Sequence, residues 1–367
     1  MNQSVIFTQS LGKAFRAIVA GSSNGDPRRL ASIVKSASEA RALARDSLGI
    51  HVPEMCFFSV TWECNLECAG CYAKGFSTAD NLSIDEIEHI LLETTGFGTV
   101  LYAVAGGEPL AVPGLLETLA RVDSGIYMVF TNGTLFDDQA VATVRSTCNI
   151  LPVISVEGDT AETEFRRGNG VGASVAAAMD RLRAAGVPFA YSTMVTHRNL
   201  DYVTSRDYQR AMWRAGARFG FLVDYLPIPG SYESELELTE EDRALKRERV
   251  NERIGEARPL LVNFPEAEYR RGGCMSAGAG FVHISATGDV EPCVFSHYST
   301  HNLRRSSYLE ALSSPFFQEI RDRFSEEPNP TGTCMLLKHQ PEVAAIAGRY
   351  GAKETLPETA NELVAAG

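Results

Sequence analysis

Short apolar runs alternate with amphipathic stretches through the middle of this chain. Met55–Val60, Thr99–Val104, Tyr127–Phe130, Ile150–Val156, Pro188–Val195 and Phe219–Tyr225 read as strands. Helical spacing of apolar positions fills the gaps, near 84–94, 113–122, 136–146, 172–185 and 201–215. The first of these opens on Ser83-Ile84-Asp85-Glu86, the form of a capping box. Regular strand–helix alternation predicts an α/β fold with a parallel sheet and helical crossovers. Six units rather than eight predict a partial, TIM-like (β/α)6 barrel. Each predicted strand ends on polar or glycine residues: a cysteine loop, Gly106-Gly107-Glu108-Pro109, Thr131-Asn132-Gly133, Ser155 to Gly158, Ser192-Thr193-Met194, and Asp224-Tyr225. In parallel α/β barrels that end builds the active site.

The pattern changes outside this frame. Residues 1–52 read as a helical N-terminal extension, with Ala-rich segments around 11–20 and 29–47 separated by Gly21–Gly25 and Asp26-Pro27. The extension is short for a peptide-recognition domain. The barrel is expected over 53–235 and a linker helix over 236–267. Its charged stretch at 237–256 is expected to be a solvated face joining two domains. Residues 268–340 are Gly-rich, with a hairpin signal at Thr287-Gly288-Asp289 between Phe281–Ile284 and Val290-Glu291, and a helix near 306–323. The tail, 341–367, is Ala/Glu-rich and expected to be helical.

Length and composition narrow the class. At 367 residues the chain has room for two domains, or a barrel with additions, and 44% hydrophobic residues supply a packed core. A net charge of −12, with no long basic run, argues against nucleic acid as a partner. No apolar stretch is of membrane-spanning length. Met1-Asn2-Gln3-Ser4 does not open a secretory signal. Eight cysteines in that context read as cytoplasmic thiols available for metal or redox chemistry.

Three of these cysteines, Cys64, Cys68 and Cys71, stand at C-x3-C-x2-C directly after the first predicted strand. They form a ligand set with one member missing. A structural zinc site closes with four ligands; a four-iron cube held by three thiolates keeps one iron open. Cys274, Cys293 and Cys334 repeat the three-of-four pattern, without the close C-x2-C pair of a zinc knuckle. Cys56 and Cys148 sit in apolar, strand-like surroundings and read as buried structural thiols.

The cysteine spacing, followed by Gly106-Gly107-Glu108-Pro109 at the end of the next strand, resembles the radical S-adenosylmethionine (SAM) superfamily over residues 53–225. One departure is Gly70 before the third cysteine, where an aromatic is frequent; Tyr72 follows the cysteine instead. The resemblance implies a [4Fe-4S] cluster on Cys64, Cys68 and Cys71, with SAM chelating the open iron. Reductive cleavage of SAM then gives a 5′-deoxyadenosyl radical that abstracts hydrogen from substrate. It implies SAM contacts at Gly106, Gly107, Glu108, Pro109, Ser155, Glu157, Arg167 and Ser192, with Tyr72 near adenine. The two glycines would let the backbone approach the methionyl amino group, while Glu108 steadies the turn. The later cysteines resemble a shortened twitch/SPASM-like domain with a second, auxiliary [4Fe-4S] cluster. Its fourth ligand would be substrate, solvent, or one of His283, His297, His339 and Glu291.

Tyr225, Tyr298, His297 and Asp224 are candidates for moving a proton or hydrogen atom near substrate. The expected partners are SAM, a small-molecule substrate (the alternative being a peptide or protein to be matured), and an electron donor such as flavodoxin or ferredoxin. A non-catalytic iron–sulfur protein would explain the cysteines but not Gly-Gly-Glu-Pro. A thiol–disulfide oxidoreductase would have only the bare spacing of Cys68 and Cys71 in its favour.

Overall fold

The structure, a computed structural model, describes residues 26–228, 232–253, 259–265, 273–329 and 332–357. The expected helix near 11–20 therefore lies outside the described residues. Asp26-Pro27, read from sequence as a break, starts the first described helix, α1 (Pro27–Leu48): Asp26 accepts from the Arg28 N–H and Pro27 takes the first turn, where no N–H is needed. Arg41 of α1 donates to the Gly98 carbonyl at 2.5 Å and to Glu54 at 2.7 Å, fastening α1 beside the sheet.

The six expected strands are β1 (Met55–Thr61), β2 (Leu101–Gly106), β3 (Ile126–Thr131), β4 (Ile150–Ser155), β5 (Phe189–Val195) and β6 (Ala217–Asp224), paired in parallel and in chain order. Two strands missing from the sequence count extend the parallel sheet: β7 (Leu260–Phe264) beside β6, and β8 (Phe281–Ile284) beside β1. Beyond β8 the order continues antiparallel through β9 (Asp289–Glu291) to β11 (His301–Asn302). A separate pair joins β10 (Tyr298–Ser299) to β12 (Lys353–Glu354). The sheet is open, with β7 at one end of the order. Phe57 of β1 nevertheless packs against both flanks, 5.1 Å from the Phe281 ring and 6.4 Å from Phe264. Helices on one side and aromatic side chains on the other bury both faces, which is why the strands read as continuous apolar runs rather than alternating ones.

The crossover helices are α2 (Ile84–Gly96), with the expected capping box at Ser83 and Glu86, then α3 (Leu115–Arg121), α4 (Asp138–Arg145), α5 (Thr160–Arg167) and α6 (Val171–Ala184). The helix expected over 201–215 is two: α7 (Leu200–Val203), and α8 (Arg206–Ala215), which Ser205 caps afresh at the Tyr208 N–H. α9 (Glu240–Asn251) corrects the reading of 237–256 as a solvated face. Lys246 and Val250 are buried, and the helix is tied to the segment after β5 by His197–Asp242 at 2.7 Å and Arg249–Asp201 at 2.8 Å.

After α10 (Tyr308–Leu312), α11 (Pro315–Phe324), α12 (Met335–Lys338) and α13 (Gln340–Arg349), the tail returns through β12. Thr355 donates its N–H to the His297 carbonyl at 2.9 Å, so this tail covers the Gly-rich region. No helix among the described residues is long and apolar enough to cross a membrane.

Candidate functional site

The cysteine loop leaves β1 at Thr61 and is fixed at three points. The Ala69 N–H donates to the Arg166 carbonyl at the end of α5, 2.9 Å away. Asn65 accepts from the Asn132 side chain at 2.9 Å and donates to Thr134 at 2.7 Å, bolting the loop to the end of β3. Gly70 has φ +65° and lies under the Tyr225 ring, where a Cβ would come within 2.5 Å of a ring carbon. That contact gives the departure at Gly70 a physical reason: neither its backbone nor its surroundings admit a side chain.

Gly106 and Gly107 are required for a close approach within the chain itself. A Cβ on Gly106 would lie 2.2 Å from the Thr61 carbonyl oxygen, and one on Gly107 2.1 Å from that of Glu63. The main chain of β2 thus runs directly against the exit of β1, with Gly107 donating to Thr61 at 2.7 Å and Glu108 to Glu63 at 2.8 Å. The Glu108 side chain accepts from Leu110 N, Thr131 Oγ1 and Asn132 N at 3.0, 2.7 and 2.7 Å, joining the ends of β2 and β3. Burial raises its carboxyl above the ordinary range, against the pull of these donors. The Gly106 N–H donates to the Tyr72 hydroxyl at 3.1 Å, and burial pushes that phenol up to about 12.

Glu157 follows β4 and is sealed from solvent. One oxygen accepts from Arg166 at 2.5 Å and Arg167 at 2.7 Å, and the other from Met194 N at 3.1 Å. Burial alone would raise its carboxyl; the two guanidinium groups reverse the shift and hold it low. Arg167 also reaches within 4.0 Å of the Cys68 sulfur. Burial pushes the Cys68 thiol up, and Arg167 and Arg166 pull it back toward thiolate.

These groups surround a cavity of about 250 Å³ at the C-terminal ends of the strands. Cys64, Cys68, Cys71, Gly106, Gly107, Glu108, Tyr72, Arg167, and Ser155 and Ser192 (paired across β4 and β5) all line it, and so does Asp224. Asn132 and Met194 belong to strand ends marked in the sequence without a role of their own, and Arg166, which also lines the cavity, was not singled out. Sequence reasoning missed the apolar wall of Phe130, Phe221, Val262, Phe264, Phe281 and Phe295, much of which comes from the two uncounted strands and the Gly-rich region. Pro109, Glu157, Tyr225 and Tyr298 stay off the cavity wall. Pro109 starts a single 3-10 turn after Glu108. Glu157 is turned into its arginines, and the Tyr225 hydroxyl accepts from Glu233 N at 2.7 Å. Tyr298 lies in β10, paired with Glu354.

The other three cysteines, Cys274, Cys293 and Cys334, each lie beside a residue of this wall. Cys274 N donates to Phe324 O at 3.0 Å, and Ala277 N donates to the carbonyl of Pro292, beside Cys293, at 2.8 Å. Cys334 packs in one apolar group with Leu226, Ile228 and Phe295. All three are buried, and their neighbours Met275, Val294 and Phe295 face the cavity. Of the proposed fourth ligands, His283 and Glu291 are committed elsewhere. His283 bonds Glu291 at 2.7 Å and Ser59 of β1 at 2.9 Å, all within the core. Burial opposes the charge on Glu291, but His283 and His297 hold its carboxyl down at about 2. His297 lies 3.5 Å from Glu291, and His339 stands near Glu327 and Glu342. Cys56 is fully buried in β1, whereas Cys148 is only half-buried, at the turn before β4.

The donor chemistry fits a four-iron cluster. Three thiols on one loop, with open cavity beside them and a guanidinium next to one, provide for three irons and leave space at the fourth.

Comparisons with known proteins agree with this geometry. Residues 58–204 match the sequence profile of the Radical SAM superfamily, and residues 274–335 that of an iron-sulfur cluster-binding domain, SPASM. An AdoMet-dependent heme synthase of Methanosarcina barkeri is 28% identical over 78% of this chain and 90% of its own length. Another, from Oleidesulfovibrio alaskensis, is 26% identical over 72% of this chain and 76% of its own. Streptococcus suis SuiB, solved with its precursor peptide SuiA, superposes with a TM-score of 0.66 at 16% identity, covering 86% of this chain and 79% of SuiB, a likeness of fold. A SAM-binding [4Fe-4S] cluster and auxiliary iron–sulfur binding follow from the two matched segments. With its cysteine loop, its Gly-Gly-Glu-Pro strand end and its SPASM segment, the chain belongs to the radical SAM superfamily of enzymes.

Proposed function

We propose that this radical SAM enzyme abstracts hydrogen from a small molecule with a largely apolar body, held between the cysteine loop and the SPASM segment. The apolar cavity wall carries this reading. Phe221, Val262, Phe264, Phe281 and Phe295 line the same cavity, of about 250 Å³, as Cys64, Cys68 and Cys71. Such a wall suits an apolar ligand oriented by few polar groups. The likeness to two heme synthases over most of the chain supports a tetrapyrrole as the first class to try.

In this proposal Cys64, Cys68 and Cys71 hold the SAM-binding cluster, and Cys274, Cys293 and Cys334 the auxiliary one. When bound, the cluster and SAM supply hydrogen-atom abstraction from an unactivated C–H; the chain supplies orientation and a dry site. Arg167 places positive charge beside Cys68. Ser155 offers a hydroxyl where the ribose or carboxylate of SAM is expected, and Ser192, at the end of the neighbouring strand, is a further SAM contact. Glu157 acts through Arg166 and Arg167, as a positioning residue. Tyr72 presents its hydroxyl to Gly106 N and its ring to the cavity. A one-electron donor such as flavodoxin or ferredoxin and a cytoplasmic setting belong to the same proposal. The donor follows from the need to reduce the cluster, and eight cysteines as free thiols suit a reducing compartment.

The test is turnover under anaerobic, reducing conditions with SAM, using a panel of tetrapyrroles, other small aromatic compounds and peptides. A small molecule should accelerate 5′-deoxyadenosine formation and, when deuterated, pass its label to that product. Acceleration by peptides alone would replace this reading with peptide maturation.

A further inference from the structure

Lys246 is out of character with its helix. α9 is charged almost throughout, yet Lys246 is only 2% exposed. Its ammonium is hydrogen-bonded to Asp224 Oδ1. Asp224 ends β6 and lines the cavity; Lys246 stands behind it, off the wall. Asp242 and Arg249, gripped by His197 and Asp201 at 2.7 and 2.8 Å, hold α9 in place.

A buried ion pair is a weak source of stability, because removing both ions from water cancels most of their attraction. Two well-packed apolar residues would serve the fold as well. The pair does produce something that apolar residues would not: a carboxyl group held by a cation inside an apolar wall. Phe221, Val223, Leu226 and Ile228 line the cavity around Asp224. Among the described residues, no hydrogen-bond donor other than Lys246 reaches the Asp224 carboxylate. Asp224 lines the cavity with this second oxygen still to be met by a donor, and an acceptor in apolar surroundings is costly until one meets it.

We infer that Asp224 is the polar anchor of the substrate site and that Lys246 is the positioning residue that holds it aimed. The ligand class is an apolar body bearing an N–H or O–H donor, neutral or cationic, with no carboxylate at that end. This inference rests on the small-molecule reading above and narrows it.

The probes are toluene, benzyl alcohol, benzylamine and benzoate, which share one ring and differ in the group presented. Their binding is measured by calorimetry on anaerobic holoenzyme saturated with SAM. Iron content and the SAM-induced change in the cluster's electron paramagnetic resonance signal establish that each variant is loaded. Benzylamine and benzyl alcohol should bind about tenfold more tightly than toluene, as one hydrogen bond to a charged acceptor allows, and benzoate should bind least. Asp224→Asn should shrink the amine-to-toluene ratio to roughly threefold or less. Lys246→Met should raise that ratio above wild type, because benzylamine replaces the missing cation; a purely structural lysine would leave the ratio unmoved. Equal binding of toluene and benzylamine by the wild type, or a preference for benzoate, overturns the assignment even if both variants fail to fold. Turnover with peptides alone would overturn the small-molecule reading by a separate measurement, independent of the probe ratios.

Discussion

The backbone N–H of Ala69 donates to the carbonyl of Arg166 at 2.9 Å, so the middle of the cysteine loop is an extension of the end of α5. That bond sets Arg167 beside Cys68, at 4.0 Å from its sulfur. A neighbouring cation favours thiolate. In iron-free protein, Arg167→Met should therefore slow alkylation of Cys68 at pH 8 by about tenfold, read from the Cys68 peptide by mass spectrometry. An unchanged rate would mean the guanidinium does not act on this thiol.

Gly107 tolerates no side chain, because its Cβ would fall 2.1 Å from the Glu63 carbonyl oxygen. Gly107→Ala should lower stability by about 2 kcal/mol through forced backbone movement, measured by denaturant unfolding. It should also lower iron content, since Glu63 is the residue before Cys64. Gly114, where a Cβ meets nothing within 4 Å but φ is +77°, is the comparison that separates crowding from backbone conformation.

Tyr298 and Tyr225, alike as candidates in the sequence, should now separate. Tyr298→Phe should leave product formation within about twofold of wild type, since its β10 position is off the cavity. Tyr225→Phe removes the acceptor of the Glu233 N–H and disturbs the ring over Gly70. It should cost about 1–2 kcal/mol of stability and reduce cluster occupancy, measured by unfolding and by iron per chain.

Much of the frame was legible because local signals agreed with the fold. The capping box at Ser83 opened α2 where expected, and all six apolar runs became neighbouring parallel strands. β7 and β8 were not legible as barrel strands, because each is short and lies in a polar or Gly-rich region whose pairing is set by distant partners, β6 and β1. The same reason hid much of the apolar cavity wall. Gly106 and Gly107 were singled out for SAM; that they also accommodate the exit of β1 is something no spacing rule shows. Lys246 was hidden because a lysine in a charged helix reads as solvated; only the tertiary position of Asp224 makes it a buried cation.

Arg304 clasps the capping box of α2 from the far side of the chain, donating to Glu86 at 2.6 Å and to the carbonyls of Asp80 and Asn81 at 3.1 and 3.2 Å. Hydrogen bonds from Arg304 and from the Ser83 N–H hold the Glu86 carboxyl down at about 2. A depressed carboxyl stabilises the fold above its unfolded pKa, about 4.3, and that contribution is lost as pH falls toward 2. Arg304→Leu should cost roughly 1 kcal/mol at pH 7, the upper end for a partly exposed pair. The difference from wild type should shrink steadily between pH 4 and pH 2 in urea unfolding of the iron-free protein. A difference constant across that interval would assign the role of Arg304 to packing.

The most direct measurement is 5′-deoxyadenosine formed from SAM by reduced, anaerobic protein, with wild type compared against Cys68→Ala and iron counted in both. Wild type is expected to form 5′-deoxyadenosine with about eight irons per chain, and Cys68→Ala to form none while keeping about four on the auxiliary site. A Cys68→Ala protein that forms it at the wild-type rate would contradict the assignment of the loop to SAM chemistry.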